Sequence, residues 1–391
     1  MDYNKSYGRN DEVAAIYKLF DAGIDISMPG PRRLGKTFVL DRLLEAAPSH
    51  KWTAVKVEVA GCRDTRAFFR QLCSRIGSKK AAGKRATDWL LQRLGQAVDP
   101  RTDTAGNWYQ AFISLDHETY FERLIKAMHE DERRRWVLLI DELPIFLKAL
   151  HDQGAQGVEV ARNFMNLTSR LRVDYPKVRW LITGSIGLEP LAQAGNYMGV
   201  LAKYHIYQLP TLSEAQACDF VIDLAQTGRL VERSVITRAE ASAIVRATGW
   251  LSAYYLEAVA KKLTGAPAES AAQADAHVED AMKRLLEPAE LPTFAVWEEH
   301  LRKHYRDGER VIALAVLNAL APYPDGRDID ALLVAVKKPE LTKSTLRNLL
   351  MRLDAEGFIV IDNWDSETPL ATFRNVLLRR WWQRFPPQAT S

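Results

Sequence analysis

With 391 residues, 47% of them apolar and 26% charged, the chain has a globular composition and is long enough for two or three cores. A net charge of +4 is too small to establish a nucleic-acid partner, and Cys62, Cys73 and Cys218 form no C-x-x-C pair, which argues for reduced thiols in a cytoplasmic protein without a zinc site. The first residues lack the apolar core of a signal peptide, and no apolar run is long enough to span a bilayer, so no membrane partner is expected.

In chain order, Gly8, Arg9 and Glu12 precede a helical pattern carrying Val13, Ile16, Leu19 and Phe20 on one side, with Asn10 or Asp11 as its expected cap. Residues 24–28 alternate as a short strand and run into Gly30-Pro31-Arg32-Arg33-Leu34-Gly35-Lys36-Thr37-Phe38. The spacing from Gly30 to Gly35-Lys36-Thr37 is that of a P-loop, and Val39, Leu40, Leu43 and Leu44 recur behind it at helical spacing. Such a loop wraps backbone N–H groups around phosphate at the positive end of a helix. The loop residues from Gly30 to Phe38 are therefore candidate ATP contacts. Lys36 would reach the β- and γ-phosphates, and Thr37 would hold Mg²⁺.

Residues 53–60 alternate as a second strand, and 64–132 look mostly helical, with a basic stretch from Lys79 to Arg85 and a polar loop from Asp99 to Asn107. Arg133-Arg134-Arg135 leads into Trp136-Val137-Leu138-Leu139-Ile140, an apolar run suited to a strand buried on both faces, which ends in Asp141-Glu142. At the carboxyl end of a parallel strand, Asp141 would face Mg²⁺, and Glu142 would orient and deprotonate water. Residues 158–173 form a helix carrying Arg162, Arg170 and Arg172. Residues 178–185 form a strand whose end offers Thr183 or Ser185 to the γ-phosphate or the water, or simply makes a turn. A fifth strand is expected over residues 204–209, stopped by Pro210.

From Thr211 the pattern becomes helical, with Ser213 as an N-cap and a break at Gly249. Helices are expected over 309–320, 329–336 and 342–356, with Gly357 as a C-cap. A hairpin of residues 358–361 and 370–373 follows them, which is the outline of a winged helix-turn-helix. Lys343, Ser344, Arg347 and Arg352 are candidates for its exposed side. Residues 301–391 hold 14 Lys and Arg against 11 Asp and Glu, a net of +3 that is weak for DNA.

The order of the Gly8-Arg9-x-x-Glu12 box, the P-loop, Leu138-Leu139-Ile140-Asp141-Glu142 and Ile182-Thr183-Gly184-Ser185 resembles archaeal-type ATPases of the STAND branch of AAA-like P-loop proteins. The stretches Leu209-Pro210 to Ala215 and Phe373 to Trp382 resemble the start of that family's lid and the end of its winged helix. The resemblance implies an α/β P-loop fold whose five-stranded parallel sheet carries an extra strand between the P-loop and carboxylate strands. It also implies a P-loop domain over 1–210, a helical lid over 211–298 and a winged helix over 299–391. Arg9 and Ser185 join the implied nucleotide contacts.

The implied function is that of an Mg²⁺-dependent, slow ATPase switch that forms a homo-oligomer and regulates an effector protein supplied in trans, in defence against foreign genetic elements. An arginine from a neighbouring subunit is expected, with Arg170 and Arg172 as candidates. The alternative is a DNA-binding ATPase of the origin-recognition or transposition-helper type, using its winged helix on duplex DNA. Two departures stand out. Ser252 occupies the place of a lid proline that contacts nucleotide, and no nuclease domain follows the Trp-rich helix.

Overall fold

The apolar runs ending at Asp141 and Gly184 carry large side chains on both faces, and both become interior strands of a parallel sheet. The computed structural model describes residues 7–77, 117–338, 341–366 and 368–388. The expected basic stretch from Lys79 to Arg85 and the loop from Asp99 to Asn107 lie outside the described residues. The chain packs as two compact units. One comprises Arg9–Gly30 with Lys36–Leu209; the other comprises Met1–Gly8, Pro31–Gly35 and Pro210–Ser391.

The first unit runs α1 (Asn10–Asp21), β1 (Ile26–Pro29), α2 (Lys36–Ala46), β2 (Trp52–Glu58), α3 (Thr65–Gly77), α4 (His117–Glu130), β3 (Arg135–Asp141), α5 (Leu143–His151), α6 (Ala155–Asp174), β4 (Val178–Gly184), α7 (Glu189–Gly195), α8 (Met198–Leu201) and β5 (His205–Ile206). Its five strands are ordered β2-β3-β4-β1-β5, and every described pairing is parallel. The expected extra strand is β4, which pairs with β1 on one side and β3 on the other. This is the α/β fold of P-loop nucleoside triphosphatases.

Aromatic packing fills one face of the sheet. Phe68 lies 5.2 Å from Phe146 and 4.8 Å from Phe164, and Phe69 lies 4.9 Å from Phe121. Two local expectations need correction. Asn10 and Asp11 do not cap α1 but lie in its first turn, because Arg9 takes the cap position in a left-handed conformation (φ 63°) with no side-chain cap. Asp11, with Glu12, instead complements the positive end of the helix. The fifth strand is only His205–Ile206, because it pairs with Ile26 and Ser27 alone before β1 reaches Pro29, which has no N–H to extend a ladder.

The second unit is mostly helical: α9 (Glu214–Gln226), α10 (Arg238–Thr248), α11 (Ala253–Ala260), α12 (Ala271–Leu285), α13 (Pro292–His304), α14 (Asp307–Leu320), α15 (Ile329–Val336), α16 (Lys343–Glu356) and α17 (Val376–Arg384). Ser213 caps α9 through a reciprocal pair of hydrogen bonds with Gln216, as its sequence position suggests. The strands β6 (Arg327–Asp328), β7 (Ile359–Asp362) and β8 (Leu370–Phe373) form an antiparallel sheet in the order β6-β8-β7. The expected hairpin is present as β7 and β8. No helix among the described residues is long and apolar enough to cross a membrane.

Candidate active site

Parallel pairing brings the ends of β1, β3 and β4 to one edge of the sheet, with Pro29 beside Gly184 and Ile140 beside Ile182. The next residues of each strand carry the chemistry. Asp141 is almost fully buried and lies between two hydroxyls: Thr37 Oγ1 donates to its Oδ2 at 2.8 Å, and Thr183 Oγ1 donates to its Oδ1. Glu142 caps α5 with a left-handed backbone (φ 60°), which turns the chain sharply out of β3. Its Oε2 accepts hydrogen bonds from Ser185 N–H and Ser185 Oγ, both at 2.9 Å. The Glu142 N–H donates in turn to Thr183 Oγ1 at 3.2 Å.

Lys36 opens α2, is buried, and donates from Nζ to the Gly30 carbonyl at 2.6 Å. Phe38 follows in the same helix and is partly buried. Close approach is built into β4: a Cβ on Gly184 would lie 2.3 Å from Pro144 Cγ, so only glycine lets this strand end meet α5. The Gly30 N–H reaches the Gly184 carbonyl at 3.2 Å.

The middle of the loop has its own neighbours within the second unit. Arg33 adopts a left-handed backbone (φ 66°), and its Nη1 donates to the Thr293 carbonyl at 2.6 Å. Its guanidinium sits 3.7 Å from the centre of the Tyr254 ring, and Ser252 Oγ donates to the Arg33 carbonyl. Ser252, which stands where the resemblance expects proline, thus bonds the loop's own backbone. Pro31 lies against Gly357, and Arg32 and Gly35 are partly exposed while Leu34 is buried.

The remaining candidates divide. Arg9 is buried and donates from Nη1 to Glu12 Oε1 at 2.6 Å, so its guanidinium serves the start of α1. Arg172 pairs with buried Asp25 at 2.6 Å and lies 3.8 Å over the Tyr204 ring, which removes it as a trans-acting arginine because its charge is committed to the interior. Arg170 is exposed and bonds Glu122 at 2.8 Å. Arg352 does not face outward as expected. It is paired with Glu309 at 2.8 Å and Glu356 at 3.0 Å, because its position on α16 faces α13 and α14. Arg347 donates to the Trp364 carbonyl, and Lys343 pairs with Asp330 at 2.8 Å, whereas Ser344 is exposed.

Thr183, like Ser185, is a residue whose sequence context leaves phosphate or water contact and a turn both open. The structure joins it to both acids, and the usable signal was its place at the end of a strand neighbouring the carboxylate strand. The arrangement can neutralise an anion with Lys36, offer a paired hydroxyl and carboxylate to a hard cation, and hold a second carboxylate for a proton.

No protein-family model matches the chain, and no curated protein matches it. Solved structures do. A Walker-type ATPase of Pyrococcus abyssi is 15% identical, with a TM-score of 0.65 over 96% of this chain and 97% of that one. The ORC2 protein of Aeropyrum pernix, in its ADPNP–ADP complexes, is 12% identical, with a TM-score of 0.52 over 95% of this chain and 91% of that one. At these identities the likeness is one of fold, and the fold is that of Walker-type P-loop ATPases.

Proposed function

We propose that the chain is an Mg²⁺-dependent ATP-binding and ATP-hydrolysing switch. The observation that carries this reading is the hydrogen-bonded series Thr37–Asp141–Thr183 beside Glu142–Ser185. Its oxygen donors fit Mg²⁺. A hydroxyl and a buried carboxylate 2.8 Å apart are hard ligands of the kind that cation takes together with phosphate oxygens. Thr37 and Asp141 would hold the metal, which when bound supplies charge neutralisation to the phosphates.

In this reading the loop amides and Lys36 bind the phosphates, and the ammonium exchanges the Gly30 carbonyl for phosphate oxygen. Ser185 occupies Oε2 of Glu142 twice and leaves Oε1 to face water. Glu142 Oε1 takes the proton as the water oxygen bonds the γ-phosphorus. The bond from that phosphorus to the bridging oxygen breaks, and ADP leaves with the electron pair.

The division into a P-loop domain, a lid and a winged-helix domain is part of the same proposal, as is a cytoplasmic location, to which the free, buried Cys62 and Cys218 are suited. Self-association and control of an effector protein in trans, in defence against foreign genetic elements, rest on the order of motifs. The DNA-binding alternative is the less favoured because Arg347 and Arg352 are engaged within the chain.

The test is a pair of variants in calorimetry and phosphate release. Lys36→Ala should lose ATP binding while staying folded. Glu142→Gln should bind Mg²⁺-ATP like the parent and hydrolyse it about 10²–10⁴-fold more slowly. Wild-type turnover by Glu142→Gln would overturn the assignment. Duplex binding that weakens steeply with salt and is lost in Lys343→Ala would favour the DNA reading.

A further inference from the structure

The edge of the first unit's sheet away from Asp141 and Glu142 carries a second feature that ATP chemistry leaves unused. A cavity of about 530 Å³ opens at the amino ends of β1 to β4, lined by segments 20–23, 51–52, 131–135 and 176–179. β3 separates it from the catalytic edge by its full seven residues, which is roughly 20 Å of extended chain. The volume is in the range of small-molecule sites, about 300–1,000 Å³.

Its lining is cationic in two layers. Arg134 and Arg135 are fixed by carboxylates, Arg134 by Asp131 at 3.0 Å and Arg135 by Asp21 at 2.6 Å, whereas Arg179 is buried and donates to the Gly23 and Pro176 carbonyls, adding its charge from below. Lys51, Arg133 and Lys177 stand exposed at the rim and make no ion pair among the described residues, whereas Glu132 is the one lining acid in that condition. Lys51 holds a left-handed backbone (φ 61°), a conformation cheaper for Asn or Gly, so a cation is kept there at a conformational cost. Beneath lie Phe20 and Trp52, 5.7 Å apart, with the Arg135 guanidinium 4.5 Å over the indole. Nearby, burial and then the charge of Lys177 lower the pKa of His129, against an opposing effect of Glu130.

We propose that this cavity binds a small, multiply charged phosphate anion of the organic di- or triphosphate class, at a site separate from the P-loop. Fixed arginines with a paired underside and free cations at the rim give phosphate oxygens pre-oriented donors without a rearrangement of the site. A concave site of this size suits a compact anion better than a long polymer, which would need a continuous basic track.

The experiment uses inorganic tripolyphosphate as the probe and the full chain carrying Lys36→Ala, so that the P-loop contributes little. Calorimetry should show one remaining site. Arg133→Glu with Lys177→Glu in the same background should weaken it by about tenfold or more, while Arg133→Lys retains it. Both residues are exposed, and circular dichroism checks that the variants fold. Absence of binding in Lys36→Ala, or binding insensitive to both charge reversals, overturns the proposal. The second result would also mark residual P-loop binding, so the two sites are told apart. A 20-base-pair duplex that displaces tripolyphosphate at equal phosphate concentration would assign the cations to a nucleic-acid backbone and equally overturn it.

Discussion

Glu142 has one carboxylate oxygen tied twice by Ser185, and this decides how the neighbouring side chain should behave on substitution. Ser185→Ala removes the hydroxyl bond but keeps the backbone one. We expect kcat to fall about tenfold with KM little changed, because a charge-assisted bond that aims the base is lost while nucleotide contacts remain. Equal loss in KM, measured by steady-state kinetics, would instead make Ser185 a nucleotide ligand. Arg170 and Arg172 of α6 also part company. Arg172→Ala removes the nearer cation from the buried Asp25 carboxylate, leaving it Arg179 at 3.6 Å and the Trp180 N–H, and should cost up to about 3–5 kcal/mol in denaturant unfolding. Arg170→Ala breaks an exposed pair and should change stability by less than about 1 kcal/mol. The placement of Lys36, Thr37, Asp141 and Glu142 at the end of the sheet was legible in the sequence because their motifs are short and fixed by local spacing. The roles of Thr183 and Arg172 were not, since Thr183 meets Asp141 only through strand register and Arg172 meets Asp25 across 147 residues of chain.

Helix ends in the second unit show the same contrast between local and distant information. Ser213 and Gly357 could be read as caps from their neighbours alone. What converges on Glu240 could not. It caps α10 with Thr237, pairs with Arg233 at 2.8 Å and meets His277 at 3.1 Å. Burial pushes its pKa up, but hydrogen bonds from the Thr237 backbone, His277 and Arg233 outweigh that and hold it below the ordinary 4.5. A depressed carboxylate adds stability that is complete above the unfolded pKa and is lost as pH falls through the folded one. Glu240→Gln should therefore lower stability near neutral pH by about 3–5 kcal/mol and flatten its loss on acidification below about pH 4.5, as followed by thermal melts across pH. Gly357 carries a second duty besides ending α16. At φ 90°, a Cβ there would also lie 2.3 Å from Pro31 Cβ. Gly357→Ala should cost at least about 1–2 kcal/mol for the backbone alone, a fall of several degrees in melting temperature.

Across the whole molecule, the absence of Arg172 from the list of available cations sharpens the question of what completes the site. An arginine from another subunit adds about 10³–10⁵ in rate in P-loop enzymes. On the switch reading, specific activity should rise with protein concentration, and Glu142→Gln should accumulate an associated form with Mg²⁺-ATP. Light scattering that finds this variant monomeric at every concentration, together with concentration-independent turnover, would remove the oligomeric part of the proposal. The chain order had suggested boundaries near 210 and 298, and packing adds something that linear order cannot display. Residues 31–35 of the loop pack with a unit most of which lies beyond Pro210, because Arg33, Ser252, Tyr254, Thr293, Pro31 and Gly357 meet in three dimensions.

That packing sets a clock on synthesis. Gly357 is made 322 residues after Gly35. At about 5–20 residues per second, the interval is roughly 15–65 s. The five strands of the first unit are complete once Ile206 is made, yet Arg33 lacks the Tyr254 ring for a further 48 residues and the Thr293 carbonyl for a further 87. A chain truncated after residue 206 and before residue 254 should accordingly have a folded sheet and an unsupported loop. The loop would then gain its full support only once Gly357 is made, so a chain cut short of that residue should hold nucleotide less well than one that includes it.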